Sequence, residues 1–175
     1  MTSPTDTLRE EHRVILRAIV LLEAAAARLT DGRPLPGGWW EKLLDWLRRF
    51  ADLNHHAKEE TYLFPALAQA GVPAAGGPVS VMLEEHTEGR ALVQAMAHRD
   101  LHWRVEAARR YVHLLRDHID KENGVLLPLA EAVLDSQGQL LLARAFEEVE
   151  AGQGLSASIE HAEAEVDRLA AALGD

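Results

Sequence analysis

The sequence predicts an all-α protein: an antiparallel up-down four-helix bundle with a C-terminal helical extension. Three observations carry this. β-branched residues are scarce while Ala, Leu, Glu and Arg dominate, apolar residues recur with the helical period over long segments, and clusters of Gly and Pro separate those segments. The first helix runs from about Thr5 to Leu29, with Leu8, Ile15, Ile19 and Leu22 on one side. It ends at Asp31-Gly32-Arg33-Pro34 and Pro36-Gly37-Gly38. The second spans about Trp39 to Ala70, where Pro65 removes one backbone donor and kinks the helix without ending it. The third spans about Val79 to Ala97. The fourth spans about Leu101 to Leu134, with Pro128 as a second kink. A tail from Gln137 to Leu173 carries Leu155, Ile159, Val166 and Leu169 and is interrupted at Gly152 and Gly154. Residues 1–135 thus form the bundle, and 136–175 form an extension packed on it or on a second chain.

Composition narrows the chemistry. With 175 residues the chain is long enough to bury a core without covalent staples. It contains no cysteine, which excludes disulfides, thiolate metal sites and cysteine nucleophiles. A net charge of −10 argues against binding nucleic acid or an anionic membrane and is compatible with binding cations. The N-terminal residues lack a basic stretch followed by an apolar one, and no apolar run reaches the length of a membrane span. A cytoplasmic protein is the expectation.

An internal repeat is the most informative feature. Glu11-His12 on the first helix corresponds to Glu85-His86 on the third, and His56-x-x-x-Glu60 with Pro65 corresponds to His118-x-x-x-Glu122 with Pro128. Several other histidines also have an acid four residues on, so that spacing is weak by itself. Helical face separates them. His12 lies in the row Leu8, His12, Ile15, Ile19, Leu22. His56 and Glu60 lie in Leu53, His56, Glu60, Leu63, Leu67. His86 follows Val79 and Met82, and His118 and Glu122 lie in Tyr111, Leu115, His118, Glu122, Val125, Leu129. These six point into the bundle. His55–Glu59, His102–Glu106, His113–Asp117 and His161–Glu165 fall on polar ridges and are expected to face water.

Two carboxylates and four imidazoles buried together need a partner, because each uncompensated buried charge costs several kcal/mol. No basic residue shares their rows except Arg90, one turn after His86, so metal is the economical partner. Imidazole and carboxylate suit iron, manganese or zinc better than calcium or magnesium. If each carboxylate bridges, the donors serve two ions and leave exchangeable positions for a small ligand. No Glu precedes any His by three residues, so the ferritin type of di-iron bundle does not fit.

The combined motif, Glu-His, then His-x-x-x-Glu with Leu63-Phe64-Pro65, then Glu-His, then His-x-x-x-Glu with a following Pro, resembles the hemerythrin-like HHE cation-binding domain over about residues 5 to 135. The resemblance implies an oxo- or hydroxo-bridged pair of non-haem iron ions, with His12, His56, His86 and His118 as terminal ligands and Glu60 and Glu122 as bridges. Oxygen-carrying members have a second His where this chain has Arg90, and they end in Asp one residue later than Glu122. The resulting four-His, two-Glu set is similar to that of bacterial proteins that repair nitrosatively damaged iron centres, and of an iron-sensing F-box protein.

The expected function is binding of O2, NO or peroxide in sensing, oxidative or nitrosative stress protection, or iron handling; no residue argues for turnover. The rival readings are a metal-free helical interaction module and a mononuclear zinc or manganese bundle. A homodimer through the C-terminal helices is a further expectation. Arg90 either faces an open metal position or pairs with an acid, Tyr111 is either an outer donor or core, and Glu11 and Glu85, about 100° from the ligand histidines, either support the ligands from outside or, as the expected outcome, face solvent.

Overall fold

The structure, a computed structural model, describes residues 3–174, and the side chains of 155 and 156, including the stripe position of Leu155, lie outside what it describes. It is all-α, with no strand among the described residues. Helix α1, Pro4–Thr30, opens at Ser3, whose hydroxyl accepts the Asp6 amide at 3.1 Å, with Pro4 at the first helical position. Helix α2 is continuous but not uniform. It is α-helical over Trp39–Trp46, π-helical over Leu47–His56 and Glu59–Leu63, and α-helical again over Phe64–Gln69. Gly38 precedes it at φ 71°, a conformation that costs a Cβ-bearing residue strain. Helix α3 is Pro78–Ala95. Helix α4 starts at the Asp100 cap, runs over Leu101–Lys121, passes through a π turn at Glu122–Leu126 and continues over Leu127–Val133. The tail forms α5, Ser136–Gln153, and α6, Ile159–Gly174, separated by Gly154 and a short 3-10 turn.

Two apolar clusters fill the interior. One joins Ile15, Ile19 and Leu22 of α1 with Trp46 and Phe50 of α2, Leu92 of α3, and Val112 and Leu115 of α4. The other joins Leu8, Leu63, Leu67, Met82 and Leu126. Between them lies a layer of buried polar side chains to which each of α1–α4 contributes. Along α1 and α3 the order is second cluster, polar layer, first cluster; along α2 and α4 it is reversed.

The extension covers this bundle. Ala162, Val166 and Leu169 of α6 belong to the first cluster, and Leu142 and Phe146 of α5 to the second. Trp39 donates its indole N–H to the Leu169 carbonyl at 2.8 Å, and Trp46 donates to Ala162 at 3.2 Å, so these rings bury area while their one polar atom stays bonded. Among the described residues no helix is long and apolar enough to cross a membrane.

Candidate metal centre

The polar layer differs from the sequence-predicted one on α2. His55 and Glu59, expected to face water, are buried at 1% and 0% exposure, whereas Glu60, expected inside, keeps a side chain 28% exposed at the rim. The cause is the π-helical backbone. Leu47, Ala51, His55, Glu59, Leu63 and Leu67 are all buried and follow each other at steps of four. On a regular α-helix such a stripe drifts by about 40° at every step; turns closed by five-residue hydrogen bonds are wider and hold it on one face. Leu53, assigned inward by the α-helical period, is half-exposed as a result.

The same device recurs in α4. Phe64 donates its amide to the Glu59 carbonyl, and Leu127 donates to Glu122, each five residues back and each just before a proline that has no amide of its own. After Glu122 the buried stripe passes to Leu126 and Ala130, and Val125 turns outward at 56% exposure. Pro65 and Pro128 therefore also align the repeat. The carboxylate lies six residues before the proline in both halves, which pairs His55–Glu59, not His56–Glu60, with His118–Glu122. That signal was present in the sequence; the assumption of a uniform helical period hid it.

With this register the layer has approximate twofold symmetry. His12 and His55 meet with their Nε2 atoms 3.0 Å apart, and His86 and His118 meet at 3.1 Å. Glu122 lies across the two pairs, with Oε2 3.0 Å from His12 Nε2 and Oε1 3.4 Å from His118 Nε2. Glu59 lies across them from the other side, with Oε2 3.7 Å from His55 Nε2 and 3.4 Å from His86 Nε2. Two overlapping sets of candidate ligand atoms follow, one from His12, His55, Glu59 and Glu122, the other from His56, Glu59, His86 and His118, each gathered within 4.8 Å.

Each of the four symmetric histidines donates its Nδ1 proton outward. His55 donates to Glu11 at 2.8 Å and His118 to Glu85 at 2.9 Å. His12 donates to the Asn123 Oδ1 at 2.9 Å and His86 to Glu60 at 2.7 Å. Lys58 backs Glu11 as Lys121 backs Glu85. Glu60 is thus the counterpart of Asn123, each one residue after a central carboxylate. Glu11, expected in solvent, is fully buried, and Glu85 is mostly so. Such outer acceptors fix the tautomer and aim the remaining nitrogen inward.

The donor set fits a pair of cations. An imidazole that donates from Nδ1 keeps a lone pair on Nε2, so each His–His contact brings two lone pairs together. Protonation is a poor remedy, because burial holds His55 well below the usual imidazole range and lowers His118 too. All four oxygens of Glu59 and Glu122 are buried without a hydrogen bond among the described residues. Burial first, and then the facing Glu122, push the Glu59 carboxyl far above its ordinary value. Four inward lone pairs and two unbonded carboxylates form a cage whose missing partner is positive charge.

Of the other singled-out residues, His102, Glu106, His113 and Asp117 are exposed as expected, and His161 is partly so. Arg90 pairs with acids, donating to Asp52 at 2.8 Å and Glu60 at 2.7 Å. Tyr111 is buried among apolar neighbours and also borders a cavity beside His56.

A helical bundle with a duplicated His/Glu layer of this kind is a cation-binding bundle. The chain belongs to the hemerythrin family: the family model described as the Hemerythrin HHE cation binding domain matches residues 3–130. It is similar to the iron-sulfur cluster repair protein YtfE of Escherichia coli (strain K12 / DH10B) and to that of Shigella boydii serotype 18 (strain CDC 3083-94 / BS512). Identity to each is 30% over 135 residues, covering 70% of this chain and 61% of the relative. No solved structure matches the chain.

Proposed function

We propose that this chain holds a pair of non-haem iron ions, with His12, His55, His86 and His118 as terminal ligands and Glu59 and Glu122 as bridges. His56, expected from the sequence as a cage member, stands beside this symmetric set, and Glu60 acts as the outer acceptor for His86. The observation that carries the reading is the pairing of inward Nε2 lone pairs across two unbonded carboxylates, a geometry that two bridged cations relieve. Bound there, iron supplies redox chemistry and exchangeable positions for O2, NO or peroxide. The protein's own contribution is to orient six donors, exclude bulk water and neutralise the outer acids through Lys58 and Lys121.

The physiological role we infer is protection from oxidative or nitrosative stress, or iron handling; the relatives named for iron-sulfur cluster repair support this direction. They are longer than this chain, and the chain has no cysteine. Elemental analysis of anaerobically purified protein tests the centre. About two irons per chain, with a ligand-to-metal charge-transfer band, is the expected result. Absence of stoichiometric metal would leave the helical interaction module, and one zinc or manganese per chain would leave the mononuclear bundle. Stopped-flow mixing of the reduced protein with O2, NO and peroxide then identifies the ligand.

A further inference from the structure

The twofold pattern of the polar layer breaks at one residue. The offset that carries His55 onto His118 and Glu59 onto Glu122 carries His56 onto Ile119, a core aliphatic. His56 is nonetheless buried, stacked on the His86 ring at 3.9 Å between centroids, with a ring nitrogen within 4.8 Å of candidate ligand atoms of Glu59, His86 and His118. It also lacks what the other four possess. Its Nδ1 has no hydrogen bond among the described residues, and the Asp52 Oδ1 stands 3.4 Å away. An imidazole that can reach the centre but is not clamped from behind is held more loosely than its neighbours.

A cavity of about 300 Å³ opens beside it, bordered by Arg48, Asp52, His56, Gly89, Arg90 and Tyr111. Two features give this space a preference. Arg48 makes no ion pair among the described residues, and the Tyr111 hydroxyl makes no hydrogen bond there. Arg90 is already engaged by Asp52 and Glu60. The cavity therefore offers one uncompensated guanidinium and one free O–H donor, a match for a small monovalent anion.

We propose that His56 is a displaceable fifth imidazole of the centre, and that this cavity receives the small anion that takes its place. The inference rests on the iron-binding reading above. In the exchange, a lone pair of the anion forms a bond to one ion as the bond from the His56 nitrogen to that ion breaks. No electron is transferred, and the freed ring turns its Nδ1–H to Asp52. Because the cavity with Arg48 opens beside His56, which stacks on His86, an anion entering through it meets the centre on the His86/His118 side.

Azide titration of the oxidised, iron-loaded protein, followed by its charge-transfer absorption, provides the test. In His56→Ala, iron affinity should fall by no more than about tenfold, with loading still about two per chain under excess iron, while the azide dissociation constant falls about tenfold, as follows when a closed state populated some nine-tenths of the time is removed. In Arg48→Ala, azide binding should weaken severalfold at low salt and approach wild type at high salt. Iron loss in His56→Ala as severe as in His55→Ala would make His56 a fixed ligand and overturn the proposal. Unchanged or weaker azide binding in His56→Ala with iron retained would overturn it as well, leaving the six-residue cage intact. Wild-type protein without stoichiometric iron would instead overturn the cage, and this inference with it.

Discussion

Lys58 and Glu150 join α2 to α5: the Lys58 ammonium, fully buried, contacts the Glu150 carboxylate at 2.6 Å while its other side pairs with Glu11. The C-terminal extension is therefore tied electrostatically to the acid that orients His55.

Lys58→Ala removes the cation and leaves Glu11 buried with only Asn54 and His55 as donors. Breaking a buried pair in this way costs about 3–5 kcal/mol. Urea unfolding of the metal-free variant should show a loss of that size, and a loss within experimental scatter would mean that Lys58 is not held where the structure has it.

The register of α2 gives opposite outcomes for adjacent residues. Glu59→Gln should abolish stoichiometric iron, because a bridging carboxylate has no neutral substitute, and His55→Ala should do likewise. Glu60→Gln should keep the iron, since the amide oxygen still accepts from His86, whereas Glu60→Ala should weaken metal affinity by about 10- to 100-fold, as loss of an outer partner does. Metal content of the four variants checks this; iron loss in Glu60→Gln with retention in Glu59→Gln would restore the α-helical register.

The π turn of α4 can be tested without metal. Leu126 is buried and Val125 is half-exposed. Leu126→Ala should cost about 2–5 kcal/mol, as large-to-small core changes do, and Val125→Ala about 0.5 kcal/mol or less. Equal costs would contradict the turn.

Chelation should expose the strain of the empty cage. Wild-type protein stripped of metal should melt at lower temperature than the loaded form, because ligands that bind only the native state stabilise it by mass action. Glu122→Gln should reverse the order: less stable than wild type with iron present, more stable once both are stripped, since one buried charge has been removed. Differential scanning calorimetry with and without chelator reads both signs, and a stripped Glu122→Gln melting below stripped wild type would argue that the carboxylates are satisfied without cations.

Much of this was legible in the chain. Element boundaries follow from Gly, Pro and capping residues to within a residue or two, as at Trp39 and Leu101, because those signals act over a few bonds. His12, His86 and His118 lie on parts of helices that keep the regular period, and Glu122 opens the π turn with its own amide still bonded four residues back to His118, so the period places all four inward. His55 and Glu59 lie where the backbone takes five-residue steps, so the same projection moved them to the wrong face.

The sequence by itself determined the all-α architecture, the duplication, and the presence of a buried imidazole and carboxylate layer, all consequences of local periodicity and composition. Only the tertiary structure decided which carboxylate enters the layer, that Lys58 is sealed beneath it, and that Glu11, Glu60, Glu85 and Asn123 support the histidines from behind. Those outcomes depend on partners brought from distant helices, and on a π-helical register that keeps a stripe of four-residue steps on one buried face.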